Sequence, residues 1–111
     1  MKNDRVRDRI RELNDAFRQT FIGGRVMLTR GVNDLEAEAK TKLLADVRNF
    51  NRFEKLNDPH GERDFGSIEN GGNKFFWKID YFDLAMNQGS VDPANADATL
   101  RVLTIMRADE Y

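Results

Sequence analysis

Apolar side chains at Val6, Ile10, Leu13, Phe17 and Phe21 recur at steps of four, three, four and four, the period of one helix face. A first helix is therefore expected from about Asn3 or Asp4, ending at Gly23 and Gly24. Arg25 to Thr29 is short, β-branched at two positions and bounded by Gly24 and Gly31, which predicts an edge strand. Asn33 followed three residues later by Glu36 has the form of a capping box, and Leu35, Ala39, Leu43, Val47 and Phe50 then keep helical spacing. The second helix is expected over roughly 34–50.

The period then changes. Residues 51–63 have no periodicity and hold Pro59 and Gly61, so they read as a surface loop. Two alternating runs, Phe65 to Glu69 and Lys74 to Phe82, flank Asn70-Gly71-Gly72-Asn73, a turn that tolerates positive φ and so predicts a β-hairpin. In its second strand Phe75, Trp77, Ile79 and Tyr81 face one way, and Phe76, Lys78, Asp80 and Phe82 face the other. A long polar connection over 84–99 is marked by its length as a candidate functional loop. Leu100 to Met106 is apolar on both faces, as a central strand requires. The expected fold class is α+β: two N-terminal helices packed on a mostly antiparallel sheet of about four strands, one domain over 1–111.

Composition narrows the functions. Eight Phe and one Trp in a 111-residue chain that is 40% apolar supply one core. The absence of cysteine excludes a disulfide framework, a thiol nucleophile and any cysteine-ligated zinc or iron–sulfur centre, in keeping with a reducing cytoplasm. No apolar run approaches a membrane span, and the charged start of the chain is unlike a signal peptide. A cytoplasmic location is expected. The net charge of −1 has a mild asymmetry: residues 1–25 carry seven basic and four acidic side chains, residues 79–111 two and six. That balance does not indicate a nucleic-acid partner. In the first helix, Asp4/Arg7, Asp8/Arg11 and Asp15/Arg18 sit three apart, so its arginines read as a solvated, self-paired surface.

One cluster has the residue types of chemistry. Asp58, His60, Glu62 and Asp64 alternate and, if extended, share a face. Carboxylates and one imidazole suit a divalent metal, and His60 suits acid–base work. The competing reading makes Asp58 and Asp64 turn and cap residues, with Glu62 and Arg63 solvated. Lys78 and Asp80, on one strand face, either pair with each other or with Glu69 and Arg101, or line a pocket with Asp83. Phe76 and Phe82 beside Lys78 are candidates for base stacking, against a role in packing. There is no phosphate-binding glycine loop, no nucleophile elbow and no helix-turn-helix spacing.

Three segments in order, Asn57-Asp58-Pro59-His60-Gly61-Glu62-Arg63-Asp64-Phe65-Gly66, then Phe76-Trp77-Lys78-Ile79-Asp80-Tyr81, then Arg101-Val102-Leu103-Thr104-Ile105-Met106, resemble an uncharacterised bacterial family, the domain of unknown function three-seven-six-eight. The likeness runs from Ile10 to Tyr111. It implies a small single-domain protein often encoded on plasmids and mobile elements, and it brings no catalytic residues. Three roles follow as expectations: a non-enzymatic module that binds a protein partner, such as an inhibitor of CRISPR or restriction defence; a small metal-assisted hydrolase or nuclease using Asp58, His60, Glu62 and Asp64; and a DNA-binding regulator.

Overall fold

The computed structural model describes residues 4–111, so a helix start at Asn3 lies outside the described residues. The chain forms α1 (Asp4–Thr20), β1 (Gly24–Leu28), α2 (Arg30–Asn33), α3 (Ala37–Arg48), β2 (Phe65–Asn70), β3 (Asn73–Phe82) and β4 (Leu100–Arg107). Single 3-10 turns follow at Ala96–Ala98 and Ala108–Glu110. The sheet order is β1-β4-β3-β2, with β2–β3 and β3–β4 antiparallel and β1–β4 parallel. An α+β fold with a four-stranded sheet is thus found, but the sheet is mixed rather than mostly antiparallel. A tight turn dictates the hairpin, with Gly71 and Gly72 both at positive φ. Nothing local dictates how β1 lies against β4, some seventy residues further along the chain.

There are three helices where two were expected. The capping pattern at Asn33 and Glu36 does not start a helix over 34–50: Asn33 ends the one-turn α2, and α3 begins after Glu36, whose side chain caps nothing. The break has a packing cause. Val32, at 0% exposure, is carried into the core by the α2 turn, and Leu35 packs against the same core as the chain reverses into α3.

All helices cover one face of the sheet. Phe17, Val32, Leu43, Val47 and Phe50 meet Phe75, Trp77, Ile79, Leu103 and Ile105, the inward positions of β3 and β4. Burying each such side chain contributes roughly 1.5–3 kcal/mol. Trp77 lies flat over Gly66, its partner on β2, where an added Cβ would collide with the indole nitrogen. Gly24 is likewise confined, first by the Arg101 carbonyl of β4 and then by the Phe17 ring.

The inner face of α1 is not the apolar stripe alone. Its buried residues are Ile10, Asn14, Phe17 and Arg18, while Val6 is exposed. Arg18, expected to be a solvated partner of Asp15, is 1% exposed. It does bond Asp15 (3.1 Å), but it also donates to the Phe50 carbonyl (3.1 Å), and its guanidinium stacks over Trp77 and Phe53.

Candidate functional site

The segment expected to carry chemistry folds as a loop turned over on itself. Asp58 Oδ1 accepts a hydrogen bond from the Arg63 N–H (2.9 Å), closing a turn in which Gly61 and Arg63 both take positive φ. Arg63 is an uncommon residue for that conformation. Its side chain fixes it there by donating to Asp15 Oδ2 (2.9 Å) and lying over Phe53. The reversal turns Glu62 inward, 7% exposed, and leaves His60 exposed. Asp64 is half-buried, and its carbonyl accepts from the Ile79 N–H (2.8 Å), tying the loop to β3.

Glu62 enters a buried polar network that sequence reading did not anticipate. Asn14 Nδ2 donates to the Glu62 carbonyl (3.0 Å) and to the Tyr81 hydroxyl (2.8 Å). The Tyr81 hydroxyl donates to Glu62 Oε1 (3.1 Å). Arg101 Nε donates to Asn14 Oδ1 (2.8 Å), another of its nitrogens donates to the Pro93 carbonyl, and its guanidinium lies over the Tyr81 ring. Burial pushes the Tyr81 hydroxyl well above its ordinary range, so it stays a donor. Burial also lowers the Arg101 pKa from a very high starting value. Asp64 is raised, first by burial and then by the neighbouring Glu62 carboxylate.

Five parts of the chain meet in this network: α1, the 58–64 loop, the end of β3, the 84–99 connection at Pro93 and the start of β4. Asn14 and Arg101 are 0% and 3% exposed. Each polar group points at another group of the protein, which is the geometry of an internal staple rather than of groups presented to a substrate. One sequence signal for it existed: Arg101 and Tyr81 fall on the inward face of strands that are otherwise apolar. Asn14 gave none, because its partners lie far along the chain.

The six residues singled out by sequence therefore divide among three environments. Asp58, His60 and Glu62 lie near enough for their charges to act on Asp64, yet among the described residues no group of three or more His, Cys, Asp and Glu side chains is placed to hold a metal ion. Lys78 and Asp80 are on the opposite, helix-free face of the sheet, paired with each other at 2.8 Å. Glu69 and Arg101 do not take part: Glu69 stands opposite Lys74, and Arg101 points to the helix side. Asp83 Oδ1 accepts from the Asn87 N–H and belongs to the turn after β3.

The helix-free face is the more open surface. It carries Arg25 and Met27 of β1, Thr104 of β4, Lys74, Phe76, Lys78 and Asp80 of β3, and Phe65 and Glu69 of β2; Val102 and Met106 of β4 also face this side but are buried. At one end Tyr111 folds back so that its ring meets Phe76 at 5.5 Å and Phe65 at 6.1 Å. At the other, Met86 reaches Arg25. Met27 and Tyr111 remain 53% and 75% exposed. Glu110 pins the C-terminal turn to the α2 end of the sheet: its carboxylate accepts from the Thr29 hydroxyl (2.7 Å), the Arg107 N–H (2.8 Å) and the Gly31 N–H (2.9 Å). Those bonds hold its pKa below the usual range.

Fold and surface together define a two-layer α+β protein with one helix-covered and one open sheet face. Residues 28–110 match the family described as protein of unknown function (DUF3768), and the chain belongs to that family. The match starts at the last residue of β1, so α1, with Asn14 and Arg18, lies outside it. No curated protein and no solved structure matches the chain. Among the described residues no helix is long and apolar enough to cross a membrane.

Proposed function

We propose that this protein is a binding module for a protein partner, engaged through the helix-free face of its sheet. The observation that carries the reading is the side-chain content of that face. Met27, Met86, Phe65, Phe76 and Tyr111 surround a single Lys78–Asp80 ion pair. Aromatic and methionine side chains with few charges are what protein interfaces enrich, and methionine adapts its shape to a partner. The charges there, Arg25, Lys74 and Lys78 against Glu69 and Asp80, nearly balance and do not form the basic field that phosphate recognition needs. The buried network supports the same reading from the other side, since its polar groups are spent on each other.

A component of host defence machinery is the partner class we propose, resting on the mobile-element setting that the family resemblance implies. The test compares tagged wild type with a Met27→Glu/Met86→Glu variant and a His60→Ala variant in capture from a bacterial lysate, read by mass spectrometry, alongside protection of incoming phage or plasmid DNA. Expected is a stoichiometric partner and protection lost only in the methionine variant. A partner retained by the methionine variant, or lost with His60→Ala, refutes the assignment of the face.

A further inference from the structure

A second surface, independent of the helix-free face, lies along the free edge of β2. This strand is hydrogen-bonded to β3 on one side, and among the described residues no strand borders its other side. The two-residue turn at Gly71 and Gly72 makes Asn70 and Asn73 a hydrogen-bonded pair, and the alternation continues back to Asp64, whose carbonyl accepts from Ile79. The N–H and C=O groups of Phe65, Ser67 and Glu69 therefore point outward from the edge.

Beside this edge is a cleft of about 470 Å³, walled by the end of α3 and the residues after it. Ser67, Ile68 and Glu69 all line it. Successive side chains of a strand point to opposite faces, so three consecutive lining residues mean that the cleft looks onto the backbone edge itself. Asn70 Nδ2 donating to Asp46 Oδ2, which also pairs with Lys42, marks the end near the hairpin turn. The other end is set by Phe50, whose ring meets Trp77, the partner of Gly66; Asn51 and Arg52 follow it. Arg52 and Glu69 thus stand toward opposite ends of the cleft, and neither side-chain charge has an ion pair among the described residues.

We infer that this cleft takes an extended peptide segment of a partner protein, which adds as a strand to β2. An edge strand flanked by a helix is the geometry of strand addition, in which main-chain bonds give affinity and flanking side chains give selectivity. The charges select the sequence. A strand antiparallel to β2 starts near Glu69 and ends near Arg52, so it carries a basic residue toward its N-terminus and an acidic one toward its C-terminus. A second copy of this chain fits less well, because its own β2 edge is flanked by the same α3 wall.

The probe is a blocked heptapeptide of alternating threonine and valine with lysine second and glutamate sixth, titrated into isotope-labelled protein and followed by NMR and amide exchange. Saturable shifts and exchange protection at the Ser67 and Glu69 amides are expected, with weaker binding of the charge-reversed peptide. Ser67→Pro removes one outward donor at an edge where proline is tolerated, and is expected to weaken binding by about tenfold. Exchanging the two charges, Arg52→Glu with Glu69→Arg, changes only exposed side chains and reverses the preference between the two peptides, which tests the inference whether or not the proline variant folds. No shift at about 1 mM peptide overturns it. So do shifts centred on Met27 and Thr104, or a peptide-independent dimer through Ser67 and Glu69.

Discussion

Replacing Asn14 by alanine tests whether the buried network holds the domain together. The amide makes three hydrogen bonds, to the Glu62 carbonyl, the Tyr81 hydroxyl and Arg101 Nε, at 2.8 to 3.0 Å and with no exposure to water. Two neutral bonds contribute about 1 kcal/mol each and the bond from Arg101 about 1.5–3 kcal/mol, so their loss costs about 3.5–5 kcal/mol. A water entering the space left by the amide recovers part of this, giving about 2 kcal/mol as the lower end. Against a total stability of about 5–15 kcal/mol, that is a large fraction. Urea unfolding read by the fluorescence of the fully buried Trp77 measures it. The control is Arg9→Ala, which breaks an exposed pair with Glu12 and is expected to change stability by less than about 0.5 kcal/mol. A cost for Asn14→Ala below about 1 kcal/mol refutes the reasoning, and with it the view that α1 is integral to the fold although it precedes the family match.

Three further outcomes are expected. Gly66→Ala forces the Trp77 indole to move and is expected to lower stability by about 1–3 kcal/mol, with a shifted Trp77 emission maximum; an unchanged spectrum and stability refute the close approach. Arg18 is buried with its Nε unpartnered, so Arg18→Met is expected to cost less than Arg18→Ala, which opens a cavity beside Trp77 and Phe53; the comparison is made by thermal unfolding, and equal costs refute the packing role. Because Asp64 has a raised pKa in the fold, its contribution is fully present below its unfolded pKa and is lost as pH rises through the folded value. Asp64→Asn is therefore expected to be more stable than wild type at neutral pH, with the gap closing in acid; a gap that widens in acid refutes the assignment.

The sequence by itself determined those features whose causes are local. A period of 3.6 placed α1, a change to period two placed β2 and β3, and two glycines in positive φ made the turn between them. The doubly apolar run at Leu100 to Met106 marked β4 as central, and it lies between β1 and β3. Only the tertiary structure decided that β1 runs parallel to β4, because no short connection links them. Only the structure separated Arg18 from Arg11, two arginines that each follow an aspartate by three positions: one meets Trp77 and the Phe50 carbonyl inside, the other stays at the surface. The same holds for the 58–64 loop. Alternation put Asp58, His60, Glu62 and Asp64 on one face of an extended strand, but a turn closed by Asp58, with Gly61 and Arg63 at positive φ, sent Glu62 inward to Tyr81 and left His60 outside. Hydrogen bonds across 48, 67 and 87 residues leave no periodic trace, so the partners of Asn14 became visible only when the chain had folded.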